Sequence, residues 1–147
     1  MTFKTMFARK NVRQKSLVKT VWKRAFRACE RAMIAAVNRR DKVCQICKSD
    51  FVLQADHAIV SRKHLSTFFE IRQMVLLCRT CHGHKTWKNF GTEVRVAEIV
   101  RKREGVDFIN WVQQQSRQIK KWSVEELENM TEYFKGVATN GGNHVAH

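Results

Sequence analysis

The chain contains no proline, and acidic side chains are scarce, with 13 Asp and Glu against 28 Lys and Arg. No repeat or low-complexity tract is present, which argues against a repeat architecture. No apolar run is long enough to cross a bilayer, and no apolar signal-like segment opens the chain. At 147 residues the chain fits one compact domain with appendages. We therefore expect a soluble protein that does not insert into membranes.

Positive charge is concentrated at one end of the chain. Residues 1–43 contain 13 Lys and Arg and only two acids, and so carry +11 of the net +15. Such an excess favours a polyanionic partner through counterion release and electrostatic steering. It gives no information about base sequence. We interpret residues 1–43 as a basic arm, in which residues 1–15 are flexible until an anionic partner orders them.

Apolar residues recur at helical spacing through this arm and predict a helix over 16–38. Nucleic acid along its basic face is the favoured interpretation. A solvated helix face and binding to an anionic membrane surface are the alternatives. The apolar stripe could pair two copies as a homodimer or pack on the protein's own core. The candidate DNA-binding residues of the basic face are Lys19, Lys23, Arg24, Arg27 and Arg31.

Four of the five cysteines form two C-x-x-C pairs, Cys44 with Cys47 and Cys78 with Cys81. A C-x-x-C turn aims two thiolates at one ion, and two such turns complete a closed tetrahedral zinc site. A disulfide framework is the alternative, but the odd cysteine count favours zinc. The fifth cysteine, Cys29, lies among apolar residues and is expected to be a small buried hydrophobe.

The segment between the two cysteine pairs is typical of a hairpin. Phe51–Val60 is short, apolar and β-branched, and Met74–Leu77 leads into the second pair. A helix is expected to follow over Arg79–Lys88. Asp56 and His57 would then lie on the hairpin, where His82, on the first turn of the helix, can face them.

Helical patterns resume after this helix. They predict a helix from Thr92 towards Arg103, stopped by Gly105, and another over Asp107–Lys121. Ser123 and Glu126 form a capping box for a last helix that ends near Lys135. The predicted class is α+β, organised as a basic arm over 1–43, a zinc-bound core over 44–90, C-terminal helices over 91–138 and a flexible tail over 139–147.

Other side chains near these motifs have two interpretations. Arg62 and Lys63 would hold phosphates or lie in a solvated loop. His64 is interpreted as an exposed loop residue, and His84 as pointing away from the side of the helix that presents His82. Four aromatic residues are expected to belong to the core and not to stack on bases: Trp87, Phe90, Trp111 and Trp122.

The order C-x-x-C, Asp56-His57, then Leu76-Leu77-Cys78-x-x-Cys81-His82-x-x-Lys85 resembles the ββα-metal, or HNH, endonucleases of phages and mobile elements over residues 44–88. Leu53–His57, Ser61-Arg62 and Lys120–Leu127 are further similar to phage recombination proteins of the NinG or Rap type. The resemblance implies a zinc-stapled ββα-metal fold and hydrolysis of DNA phosphodiester bonds in the cytoplasm of a bacterial host.

The resemblance also assigns roles. It makes His57 the general base and Asp56 with His82 the ligands of a catalytic Mg²⁺ or Mn²⁺, beside a structural Zn²⁺ on the four cysteines. Lys85 matches the family and would contact backbone phosphate. Gln73 stands where the family usually has asparagine, and its amide could still tether the hairpin loop or orient His57.

Two alternatives remain to this assignment. One is a zinc-stabilised DNA-binding module without catalysis, and the other is a homing or packaging-associated enzyme that cuts linear duplex. The diffuse positive arm favours branched substrates such as recombination intermediates, because recognition of DNA shape needs a broad basic surface more than a base-reading element.

Overall fold

The structure is a computed structural model that describes residues 3–86 and 90–139. It is a mixed α+β fold, as predicted, in which five helices surround a two-stranded antiparallel sheet. The elements are α1 (Phe3–Asp41), β1 (Leu53–His57), a 3₁₀ turn (Ile71–Gln73), β2 (Met74–Cys78), α2 (Arg79–Thr86), α3 (Phe90–Glu104), α4 (Val106–Gln115) and α5 (Val124–Thr139).

Helix α1 is much longer than the sequence predicted. It spans 39 residues, so the expectation that residues 1–15 are flexible is wrong from Phe3 onward. The physical reason is that nothing interrupts it, since the chain has no proline and its first glycine is Gly83. The helix ends at Asp41, where Lys42 takes a left-handed conformation with φ 62°, and its N–H donates to the Asn38 carbonyl at 2.9 Å.

Strand β2 separates two hydrophobic clusters. All five of its residues are buried, and successive side chains of a strand point to opposite faces. Met74 and Leu76 therefore join a cluster formed with α1 and α5. Val75 and Leu77 join a second cluster with cysteines of the two C-x-x-C pairs and residues of α3 and α4. Strand β1 pairs with β2 in a register that sets Asp56 opposite Val75.

The C-terminal half of α1 packs along α5. Cys29 is fully buried, as predicted, together with Met33 on the next turn. The indole N–H of Trp22 donates to the carbonyl of Trp122 at 2.7 Å, which joins the two helices near the start of α5. The apolar stripe of α1 thus packs on the protein's own core from Trp22 onward. Its N-terminal continuation remains exposed at Leu17, Val18 and Val21, and homodimerisation stays a prediction.

The C-terminal helices follow their predicted signals with shifted ends. Gly105, at φ 86°, separates α3 from α4 as expected. Helix α4 stops at Gln115 and not at Lys121, because the chain turns at Ser116 so that Trp122 can reach Phe69, with ring centroids 5.7 Å apart. The capping box forms at Ser123, and α5 runs on to Thr139, four residues beyond the predicted end.

Several predictions concern residues outside or at the edge of the described chain. Trp87 and the tail beyond residue 139 lie outside it. Trp111 is 42% exposed, so its assignment to the core is wrong, whereas Trp122 packs against the first cluster as expected.

None of the helices in the described ranges combines the length and apolar character that a membrane span requires.

Candidate metal centre and cleft

The four cysteines of the two C-x-x-C pairs come together as predicted. Cys44 and Cys47 lie in the turn after α1, Cys78 ends β2, and Cys81 lies in the first turn of α2. Their sulfur atoms all lie within 4.8 Å of one another, and the Sγ atoms of Cys47 and Cys78 are 3.5 Å apart. A tetrahedral zinc ion with Zn–S bonds of ~2.3 Å separates its sulfurs by about 3.8 Å. The cluster therefore has the dimensions of a zinc site.

Backbone N–H groups support negative charge on this cluster. Burial acts to raise the pKa of the Cys44 thiol, but hydrogen bonds from the backbone of Cys47 and Cys78 outweigh it and bring the pKa to about 6. The Cys81 N–H points at the Cys78 sulfur, 3.4 Å away. Burial raises the pKa of Cys81, so full ionisation of the cluster needs a cation among the sulfurs.

A second polar site lies where β1 meets α2. Asp56 Oδ1 is 3.4 Å from His82 Nε2. The ammonium of Lys85, one turn further along α2, contacts the other carboxylate oxygen of Asp56 and donates to the His57 carbonyl at 2.6 Å. Residues three apart on a helix share a face, which is why His82 and Lys85 reach the same carboxylate.

Asp56 and His82 fit a divalent ion of the magnesium type. Cis ligands around an octahedral ion with bonds of ~2.1 Å lie about 3 Å apart, close to the 3.4 Å between these two side chains. Mg²⁺ is commonly held by one or two carboxylates, with waters and substrate phosphates completing its coordination. Asp56 supplies such a carboxylate, and His82 supplies an imidazole, a ligand that first-row transition-metal ions accept more readily than Mg²⁺ does.

His57 lies at the end of β1 with its ring held by the loop that joins the strands. A carbonyl oxygen only accepts, so the 2.9 Å contact between His57 Nε2 and the Phe68 carbonyl makes Nε2 the donor. The neutral ring then presents Nδ1 as its acceptor. Burial lowers the pKa of His57, and the nearby cations Arg62 and Lys85 add to that effect, against the opposing influence of the Phe68 carbonyl and Asp56.

Gln73 fixes the loop that carries Phe68. Its side chain is fully buried, its Oε1 accepts from the Val60 N–H at 3.2 Å, and its Nε2 donates to the Thr67 carbonyl at 2.7 Å. The amide therefore bridges the two ends of the loop. Because Phe68 follows Thr67 directly, Gln73 also sets the position of the carbonyl that holds the His57 ring.

These side chains open on one cleft of about 910 Å³ between α1, the hairpin, α2 and α3. Asp56 and His57 leave β1 on opposite faces, yet both line the cleft because the strand ends at His57. His82 and Lys85 line it from α2, and Arg62 with Lys63 line it from the loop. The structure thus brings Asp56, His57 and His82 to one cleft with the loop cations, whereas Gln73 does not line it.

Two acidic residues of the cleft were not found from the sequence. Glu30 lines the cleft from α1 and pairs with Arg62 at 3.2 Å. Glu93 lines it from α3. Glu30 is the only acid before Asp41 in the basic arm, which is a signal that could have found it. For Glu93 the sequence offers no comparable signal.

The basic face of α1 runs beside this cleft. Glu30 and Ile34 line the cleft, and Arg27 and Arg31 precede them by three residues, so they lie on an adjacent strip of the helix surface. All the candidate DNA-binding side chains of this helix are exposed: Lys19, Lys23, Arg24, Arg27 and Arg31.

Two histidines lie away from this group. The ring Nδ1 of His64 contacts the Ser116 carbonyl at 3.1 Å, which ties the loop to the end of α4. His84 is exposed on α2. Neither residue lines the cleft.

Comparison of the chain with protein-family models, with curated proteins and with solved structures finds no match in any of the three. The interpretation of the cleft therefore rests on its own residues and their geometry.

Proposed function

We propose that this protein is a metal-dependent endonuclease of the HNH type that hydrolyses DNA phosphodiester bonds. The single observation that carries the proposal is the convergence of Asp56, His57 and His82 on one cleft. A carboxylate and an imidazole suited to a divalent ion lie beside a second imidazole whose tautomer leaves an acceptor nitrogen. These are the groups that metal-assisted hydrolysis of a phosphodiester requires.

In this mechanism Asp56 and His82 would hold Mg²⁺ or Mn²⁺. The ion would neutralise charge on the scissile phosphate and assist departure of the 3′ oxygen. His57 takes the proton of the attacking water on Nδ1, while its Nε2 N–H remains bound to the Phe68 carbonyl. That carbonyl orients the ring and stabilises the imidazolium that forms. Gln73 supports His57 indirectly, through the loop.

DNA would lie along the basic face of α1 and enter the cleft beside Arg62 and Lys63. Exposed Lys and Arg side chains along one helix position a phosphate backbone without reading bases. Zinc on the four cysteines would hold α2 against the hairpin, because Cys78 and Cys81 join the end of β2 to the first turn of α2. The protein would therefore need zinc for its shape and a second divalent ion for cleavage.

The decisive experiment incubates zinc-loaded protein with supercoiled and branched DNA, with and without Mg²⁺ or Mn²⁺. We expect metal-dependent nicking that His57→Ala and His82→Ala each abolish. His84→Ala is the matched control, since His84 is exposed on the same helix as His82, and it should cut normally. Full activity of correctly folded His57→Ala would contradict the assignment of the general base.

A zinc-stabilised DNA-binding module without catalysis is the second candidate. The observation that favours it is the ion pair between Lys85 and Asp56, which already supplies the carboxylate with a cation. In that case the same experiment would give DNA binding without cleavage under every metal condition. Binding would still depend on the exposed arginines and lysines of α1.

Among nuclease substrates we favour branched recombination intermediates of a phage in the bacterial cytoplasm over linear duplex. The support is the breadth of the basic surface, which extends from the cleft along α1, and the residues that resemble the NinG or Rap type. Labelled duplex, flap and four-way junction substrates distinguish these possibilities. Equal cleavage of all three would contradict a preference for branched DNA.

A further inference from the structure

We infer that Lys85 is a built-in competitor for the divalent ion, whose ammonium occupies the cation position on Asp56 and weakens metal binding in the absence of DNA. The inference deepens the proposed function and rests on Asp56 and His82 as ligands. The sequence does not predict the contact between Lys85 and Asp56, since the resemblance assigns Lys85 to a backbone phosphate.

The contacts of Lys85 are those of a bound cation. Its Nζ lies against one carboxylate oxygen of Asp56 and 2.6 Å from the His57 carbonyl oxygen. Its side chain is 17% exposed and that of Asp56 is 13% exposed. A carboxylate with so little exposure to water is stabilised by a neighbouring positive charge, here the ammonium of Lys85. The ammonium is therefore a counter-ion of Asp56, in contrast to that of Lys63, which lines the same cleft from an exposed position.

A divalent ion would need the same carboxylate. The second oxygen of Asp56 is the one that faces His82, at 3.4 Å, so an ion between these two groups would lie within a few ångströms of Nζ. Two cations at such a distance repel strongly at the low effective dielectric of a half-buried site. Metal binding must therefore displace Lys85 or weaken its contact with Asp56. Displaced, the four-carbon stem can carry the ammonium towards a phosphate in the cleft.

The test measures Mn²⁺ binding to zinc-loaded, full-length protein in the absence of DNA, by the electron paramagnetic resonance signal of free Mn²⁺. Lys85→Met keeps the stem and removes the charge, and we expect it to bind Mn²⁺ at least about tenfold more tightly than the wild type. Lys85→Gln is neutral but can still donate to Asp56, so it should show the same gain even if Lys85→Met folds poorly. Lys85→Arg, which keeps the charge, should remain weak.

Lys63→Met is the matched control for net charge. Lys63 lines the same cleft but is exposed, so its removal should strengthen Mn²⁺ binding far less. Added Mn²⁺ should raise the melting temperature of Lys85→Met more than that of the wild type, because a tighter ligand stabilises the folded state more. Asp56→Asn in the Lys85→Met background should abolish the gain, which locates the ion.

The inference and the proposed function fail in different ways. If Lys85→Met and Lys85→Gln bind Mn²⁺ no more tightly than Lys63→Met, Lys85 does not compete, and metal-dependent cleavage by the wild type would leave the nuclease proposal intact. If no variant binds Mn²⁺ and the wild type does not cut, both are overturned. Tight binding by the neutral variants without any cleavage would support the competition and contradict the nuclease.

Discussion

Replacing Gln73 with leucine keeps the approximate volume of a fully buried side chain and removes both of its hydrogen bonds. The Val60 N–H loses its acceptor at 3.2 Å, and the Thr67 carbonyl loses its donor at 2.7 Å. A buried polar group left without a partner costs about 1–3 kcal/mol, and the Val60 end of the loop is only partly buried. We expect Gln73→Leu to lower the free energy of unfolding by about 2–4 kcal/mol, a large fraction of the roughly 5–15 kcal/mol of a typical domain.

Equilibrium unfolding in urea, with zinc present throughout, measures this loss. Gln113→Leu is the matched control, because Gln113 is exposed on α4 and should change stability by less than about 0.5 kcal/mol. Gln73→Leu should also reduce nicking under conditions where it remains folded, since the released loop carries the carbonyl that orients His57. If Gln73→Leu is no less stable than Gln113→Leu, the amide does not hold the loop and this reasoning is refuted.

Three further predictions follow from the same structure. Cys81→Ser should lose the bound zinc, measured by atomic emission, together with cooperative melting, since a structural zinc contributes about 10–16 kcal/mol; full zinc occupancy in the variant would contradict the four-cysteine site. Asp41→Asn should lower the free energy of unfolding, measured in urea, by about 3 kcal/mol or more. The substitution weakens the acceptor for Arg40 at 2.6 Å and for the Leu76 N–H at 2.9 Å. An unchanged urea midpoint would show that this nearly buried ion pair contributes little to stability. The lowered pKa of His57 means that its neutral form stabilises the fold above the unfolded pKa of about 6.5, and that this stability is lost as the pH falls through that value. On mild acidification the melting temperature of His57→Gln should therefore fall less than that of the wild type. An equal fall in both proteins would contradict the lowered pKa of His57.

Local signals in the sequence were sufficient for part of the fold. The cysteine cluster was predictable because each C-x-x-C pair already lies in one turn, and the capping box at Ser123 because its partner Glu126 is three residues away. The hairpin was predictable from two short apolar segments, although β1 is shorter than the segment that indicated it. These features depend on neighbours close in the chain, and the sequence displays such neighbours directly.

The remaining features depend on packing between distant segments. Lys85 and Asp56 are 29 positions apart, and their contact depends on how α2 lies on the hairpin, which no local pattern specifies. Glu30 reaches the cleft only because α1 packs with that face towards the loop and pairs with Arg62, 32 positions away. The sequence does not predict the length of α1 for a different reason. The residues before Ser16 are largely polar and cationic, which is typical of a flexible segment, although none of them breaks a helix.

Met74 and Leu76 belong to one hydrophobic cluster, while Val75 and Leu77 belong to the other. The single strand β2 is therefore shared by both clusters. Excising residues 44–90 as a minimal nuclease would remove α1 and α5 from the first cluster and the apolar residues of α3 and α4 from the second. We expect the two clusters to unfold together, because both depend on side chains of β2. N-terminal truncations should therefore lose solubility abruptly once they remove α1 beyond Trp22, where its packing on the core begins, instead of yielding progressively smaller active fragments.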